Sequence, residues 1–168
     1  QSTTNDVWLR QQHQRSGAID CLPPNCDYLS ALVIIACRFI SVKFKSMGPT
    51  ECANLRCMAA SLLVRILHRE TDIDVACEMV SLIAMPVLLT LQSVLKDNTA
   101  TTQVKLLELL SAMFARTNGH LLPFQQLHGD AMGLARQLFV RTLLAGLEHD
   151  HPLDSPSSDA WIDFACSC

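Results

Sequence analysis

Aromatic and charged residues are both scarce in this chain. Phe, Trp and Tyr make up 5% of its 168 positions, and Asp, Glu, Lys and Arg 17%. With so few aromatics, the core falls to Leu, Ala, Val, Ile and Met, which favours helix-on-helix packing over a β-sandwich built from alternating Val, Thr and Tyr. The low charge does not signal disorder, because 49% of the chain is hydrophobic, enough for one domain with a real core. A net charge of -3 supplies no global field to gather nucleic acid or an anionic membrane. Uninterrupted apolar runs stop short as well: residues 31–37 and 82–89 fall far below the roughly 18 needed to span a bilayer, so no membrane span is expected. The chain opens Gln1-Ser2-Thr3-Thr4-Asn5, without the basic start or apolar run of a signal peptide and without an initiating Met, as expected of a piece of a longer protein. No G-x-S-x-G, Walker loop, H-E-x-x-H or glycine-rich dinucleotide turn occurs.

What the chain does contain is helical periodicity. Asp27 is a good N-cap for an almost wholly apolar helix over residues 28–44, which needs neighbours on more than one side. Thr50 is placed to cap the next, with Glu51 in its first turn. Leu55, Met58, Leu62 and Ile66 form its apolar face, widened by Ala59, Leu63 and Leu67, and Asn54, Ser61, Arg65 and His68 form the opposite polar strip. Thr71 is expected to cap a third helix that breaks near Ala84 and Met85, ahead of Pro86. Residues 104–116 form a further helix, and residues 121–128 a loop with one helical turn. In a last long helix Leu134, Leu138, Leu143 and Leu147 point inward while Arg136, Gln137 and Arg141 face out. Three parts result: residues 1–26, a short helix around Trp8 and a Pro-containing loop; residues 27–148, the helical body; and residues 149–168, a linker through Ser158 followed by a short docking segment.

Three segments share a spacing: Leu55-Arg56 with Ala59-Ala60 and Leu62-Leu63, Val75-Ala76 with Met79-Val80, and Val104-Lys105 with Leu109-Leu110. Helices recurring in this way between polar turns resemble the HEAT and armadillo families of α-solenoids. The resemblance implies an all-α fold of antiparallel helix pairs stacked as a short solenoid, with Leu55 and Val104 in register and the Val75 helix between them. It also implies a non-catalytic scaffold or adaptor whose groove receives a partner's peptide or helix. The armadillo family's Asn and Trp ladder has no counterpart, since neither Trp lies in the repeat body.

The eight cysteines do not pattern as a disulfide framework. Cys37, Cys57 and Cys77 fall inside apolar helical runs, where thiols act as small hydrophobes, so a reducing compartment, cytosol or nucleus, is expected. Cys21 with Cys26 and Cys52 with Cys57 are spaced five apart; on a helix that places the second pair about 140° apart, unable to share a metal. His149 and His151 with Cys166 and Cys168 have chelating spacing in the tail. Cys57 and His68 share a helical face but stand about 16 Å apart along the axis, too far for a catalytic dyad. No catalytic, cofactor or metal residue is therefore expected. The candidate partner-binding residues are Trp8, Asn54, Arg65, Trp161 and Phe164, the aromatics as exposed interface anchors, unless the tail from Asp159 to Cys168 docks in cis on the body instead of on a partner. The second functional reading is a nucleic-acid-associated module using Arg38, Lys43 and Lys45 or Arg56, Arg65 and Arg69; the third is an enzyme whose site is assembled from distant residues.

Overall fold

The computed structural model describes residues 27–42, 44, 46–96, 99–117, 130–148 and 156–167. The expected Trp8 helix, the 121–128 loop and most of the 149–158 linker lie outside these residues. Among those described, every regular element is an α-helix: α1 (Tyr28–Ser41), α2 (Pro49–Arg69), α3 (Ile73–Lys96), α4 (Ala100–Arg116), α5 (Asp130–Glu148) and α6 (Pro156–Ser167). The all-α expectation holds.

Local chemistry sets the helix starts, in two cases one residue or more from the expected place. Asp27 caps α1, its carboxylate accepting from the Ser30 amide at 2.7 Å. For α2 the cap is Gly48 instead of Thr50, because Pro49 takes the first helical position, where its fixed φ fits and its missing donor costs nothing. Glu51 then reaches back to accept from the Gly48 amide at 2.9 Å, half of a capping box. Asp72, not Thr71, caps α3, accepting from the amides of Asp74 at 2.9 Å and Val75 at 3.3 Å. A carboxylate there also meets the positive end of the helix dipole.

The break expected at Pro86 does not occur. Pro86 lies inside the continuous helix α3, and neighbouring groups compensate for what it removes. Lacking an amide hydrogen, it leaves the Leu82 carbonyl without its usual partner. The Cys37 thiol of α1 points at that oxygen, 3.9 Å away; separately, Thr90 Oγ1 donates to the Pro86 carbonyl one turn back at 2.7 Å. By length and composition the 73–95 stretch of α3 could cross a membrane, with mean hydropathy 1.8, and half of its apolar window is buried in the fold. Contact with α1, α4 and α5 accounts for that hydropathy as the demand of a helix with neighbours on several sides.

Packing follows two rows. α1 packs on α3 and α3 on α5; α2 packs on α4 and α4 on α6; and α1 with α2, α3 with α4 and α5 with α6 join the rows. Polar contacts along the rows pair residues at nearly constant separation: Cys37 with Leu82, 45 residues on, Ile40 with Thr90, 50 on, Cys57 with Thr102, 45 on, and Leu67 with Arg116, 49 on. Because both partners advance together, α1 runs parallel to α3 and α2 to α4.

Of the apolar face expected on α2, the Ala59, Leu63 and Leu67 side is buried and the Met58 and Leu62 side is not. Cys52, Arg56, Ala59, Ala60, Leu63 and Leu67 are buried, whereas Met58 and Leu62 are exposed. The helix carries two apolar stripes, and the one bearing Ala59 and Ala60 lets α1 and α4 approach closely. On α5 the buried side is Phe139, Thr142 and Gly146, with Leu138 and Leu143 half-buried; Leu147, expected inside, is exposed, and the side chains of Leu134 and Arg136 lie outside the described set. Phe139 wins over Leu147 because it enters a cluster with Phe114 and Phe164, ring centroids 5.5 to 6.2 Å apart, each such pair adding about 1 kcal/mol beyond its burial.

Nor does the linker extend to Ser158. α6 begins at Pro156, Ser157 is buried, and Trp161 and Phe164 are sunk in the core. Trp161 lies over Gly146, where an added Cβ would come within 2.5 Å of the indole ring. Gly146→Ala would ordinarily stabilise a helix by about 1 kcal/mol. Here it should destabilise by about 1 to 3 kcal/mol through overpacking, measurable by urea unfolding, with the indole fluorescence shifted.

Candidate functional site

Helix α4 is flanked by α2 and α6 in its row, and its outer surface is the floor of an open groove of about 810 Å³. Val104, Glu108, Ser111 and Ala115 succeed one another at four- and three-residue steps, so they form one line along α4. Small side chains dominate this floor: Ser111, Ala112 and Ala115, joined by Ala160 from α6. The α2 wall is Val64 and His68, and Pro156 and the edge of Phe164 complete the α6 wall. A floor of small residues between two ridges leaves room for a further helix at close approach.

The rim is acidic. Asp159 and Asp163, four apart on α6, line the same side of the groove, and Glu108 projects from α4. Lys105 Nζ meets Glu108 Oε2 at 2.7 Å, an exposed pair that contributes little to stability. Among the described residues lining the groove, three are carboxylates and none is Lys or Arg.

The residues proposed from sequence are not gathered here. Trp8 lies outside the described residues. Asn54 and Arg65 are exposed on α2, Arg65 lining a second, shallower cleft of about 370 Å³ with Cys57, Met58, Ser61 and Leu62. Trp161 and Phe164, expected as exposed anchors, are buried: the indole Nε1 donates to Gln103 Oε1 at 3.1 Å, and Phe164 belongs to the aromatic cluster. They are spent on holding α6 to the body. The Arg56, Arg65, Arg69 stripe does not form either, since Arg56 turns inward and donates from Nε to the Ile40 carbonyl at 3.0 Å. Arg38 is half-buried, and Lys43 and Lys45 lie outside the described set.

Sequence reasoning missed the groove residues Glu108, Ser111, Ala115, Asp159 and Asp163. The line of small residues along α4 and the Asp159, Asp163 step were the available signals, but they identify a groove only once α6 is known to pack beside α4.

Among the described residues, no three His, Cys, Asp or Glu side chains converge as a metal site. Cys21, Cys26, His149, His151 and Cys168 fall outside those residues. Cys57 lies 3.8 Å from Thr102 Oγ1, and α2 is continuous from Pro49 to Arg69, which keeps Cys57 and His68 apart. Comparison with family models, with curated proteins and with solved structures returns no match.

Burial pushes the Cys37 thiol from an ordinary 9.0 up to about 12. It therefore stays protonated, as a donor to the Leu82 carbonyl must. Since only the unfolded chain releases this proton between pH 9 and 12, folding stability should fall as pH rises through that window. The Cys37→Ala variant should lose that part of the slope in urea titrations. In the native protein, iodoacetamide at pH 8 should label exposed Cys166 well before Cys37.

Proposed function

We propose that this chain is a non-catalytic interaction module, a short α-solenoid of the HEAT or armadillo kind, acting as a scaffold or adaptor within an intracellular complex in the cytosol or nucleus. Support for the solenoid comes from the parallel packing of α1 with α3 and of α2 with α4, and from the 45- to 50-residue step that relates them, close to the roughly 40 to 47 residues of such repeats. Support for the adaptor role comes from one observation: the small-floored groove over α4 between α2 and α6.

Its occupant, on this reading, is a basic amphipathic helix of a partner protein. The apolar face of that helix would cover Val64, Ala112, Ala115 and Ala160, and its Lys or Arg side chains would meet Glu108, Asp159 and Asp163. The same three carboxylates oppose a nucleic-acid backbone on this face, which sets the nucleic-acid-associated reading behind the protein-binding one.

An amphipathic Leu/Lys helix peptide and its Leu/Glu counterpart, compared by fluorescence anisotropy, test the assignment. The Lys peptide should bind with a Kd on the order of tens of micromolar and weaken as salt rises from about 0.05 to 0.5 M. The Asp159→Lys/Asp163→Lys variant, altered at two exposed positions, should lose about tenfold in affinity. Equal binding of the Glu peptide, or unchanged affinity in the double variant, would contradict it.

A further inference from the structure

The three carboxylates of the groove over α4 are not equivalent. Asp159 and Asp163 are exposed on α6, and neither forms an ion pair with another described residue. Glu108 already has a cation. Lys105, one turn back on α4, donates from Nζ to both of its carboxylate oxygens, at 3.0 and 2.7 Å. The Lys105 side chain is 37% exposed, so its charge is open to whatever enters the groove.

The position of each residue around α4 fixes the flank on which its charge lies. Taking Val104 on the floor as origin, at 100° per residue Glu108 is turned about 40°, Lys105 about 100° and Thr102 about 160° the same way. Thr102 marks the direction of α2, since it lies against Cys57. Gln103, which accepts from Trp161 of α6, is turned about 100° the opposite way. Lys105 therefore stands at the α2 edge of the groove, beyond Glu108. The α2 wall, Val64 and His68, adds no carboxylate. One flank of the groove thus carries two unpaired carboxylates, and the other carries a carboxylate neutralised from within the chain.

Asp159 and Asp163 are one turn apart and match cations four residues apart on one flank of a ligand helix. A cation on the other flank of that helix would reach Glu108 only by displacing Lys105, and would otherwise lie beside a like charge. We infer that Lys105 is a specificity-determining residue of the groove, restricting its ligand to a helix that is basic along one flank and uncharged along the other. Reversing the ligand exchanges its flanks, so the restriction is on having one basic flank, not on which flank it is. The inference takes the groove to be a helix-binding site.

Two helical peptides with the same leucine face, compared by fluorescence anisotropy at about 0.05 M salt, provide the test. One carries a Lys pair four apart on one flank and Gln on the other; the second carries such a pair on both flanks. On wild type the two should bind within about twofold of each other, because the added pair meets Lys105. On Lys105→Met, a substitution that keeps an unbranched side chain and good helix propensity, the two-flank peptide should bind about three- to tenfold tighter than the one-flank peptide. Adding Glu108→Gln to Lys105→Met should abolish that preference, and circular dichroism should show the variants folded. A ratio between the peptides that Lys105→Met leaves unchanged would overturn the inference alone, with Asp159→Lys/Asp163→Lys still weakening the one-flank peptide. If that double variant has no effect, or neither peptide binds, the groove assignment fails and the inference with it.

Discussion

The Ile40 carbonyl, in the last turn of α1, accepts from Arg56 Nε of α2 at 3.0 Å, with Thr90 Oγ1 of α3 3.5 Å away. A helix leaves its last carbonyls without internal partners, and in a packed interior water cannot supply them. The same solution recurs across the fold. Arg116 of α4 donates to the Leu67 carbonyl at 2.6 Å and to that of His68, at the end of α2. Gln103 Nε2 donates to Val94 near the end of α3 at 3.4 Å, while its other side accepts from Trp161 of α6. Each of these bonds fixes the position of one helix end against another element. Two of the donors are cations at the negative ends of helix dipoles, which adds to their effect.

Placed this way, the polar residues set register and the apolar residues supply the bulk of the stability. Leu, Val and Ala interfaces are tolerant of sliding, because dispersion and burial are nearly indifferent to which Leu meets which. A buried guanidinium or carboxamide is not, since a shift of one turn leaves it unsatisfied at a cost of about 1 to 3 kcal/mol. Gly146 adds a steric constraint of the same kind, admitting the Trp161 ring at one position along α5. The groove over α4 depends on all of this, because its acidic wall exists only where Gln103, Gly146 and the phenylalanine cluster hold α6.

Helix existence and approximate limits were legible in the sequence, since apolar residues at three- and four-residue steps, the cap at Asp27 and the first-turn carboxylate of Glu51 carry their own local physics. How much of each apolar face turned inward was not. On α2, Ala59, Leu63 and Leu67 are buried as expected, but Met58 and Leu62 of the same expected face are left out, because α1 and α4 approach at Ala59 and Ala60. Pro86 misled for a related reason: its local effect is to break a helix, but Cys37 from 45 residues upstream satisfies the orphaned carbonyl. Arg56 read as surface charge because its acceptor is a backbone atom, which leaves no mark in the sequence. Trp161 and Phe164 read as anchors for a partner or for docking the tail in cis, and it is the chain's own last helix that they anchor.

The claim that buried donors at helix ends, more than apolar burial alone, hold the rows in register is tested most directly by Arg56→Met. Methionine keeps most of the side-chain volume and removes only the charge and the donor to Ile40. Urea unfolding should show a loss of about 2 to 3 kcal/mol, as for a lost charged hydrogen bond, with faster amide exchange at the end of α1. A variant as stable as wild type, or more so, as occurs when some buried charges are replaced by apolar residues, would contradict the account.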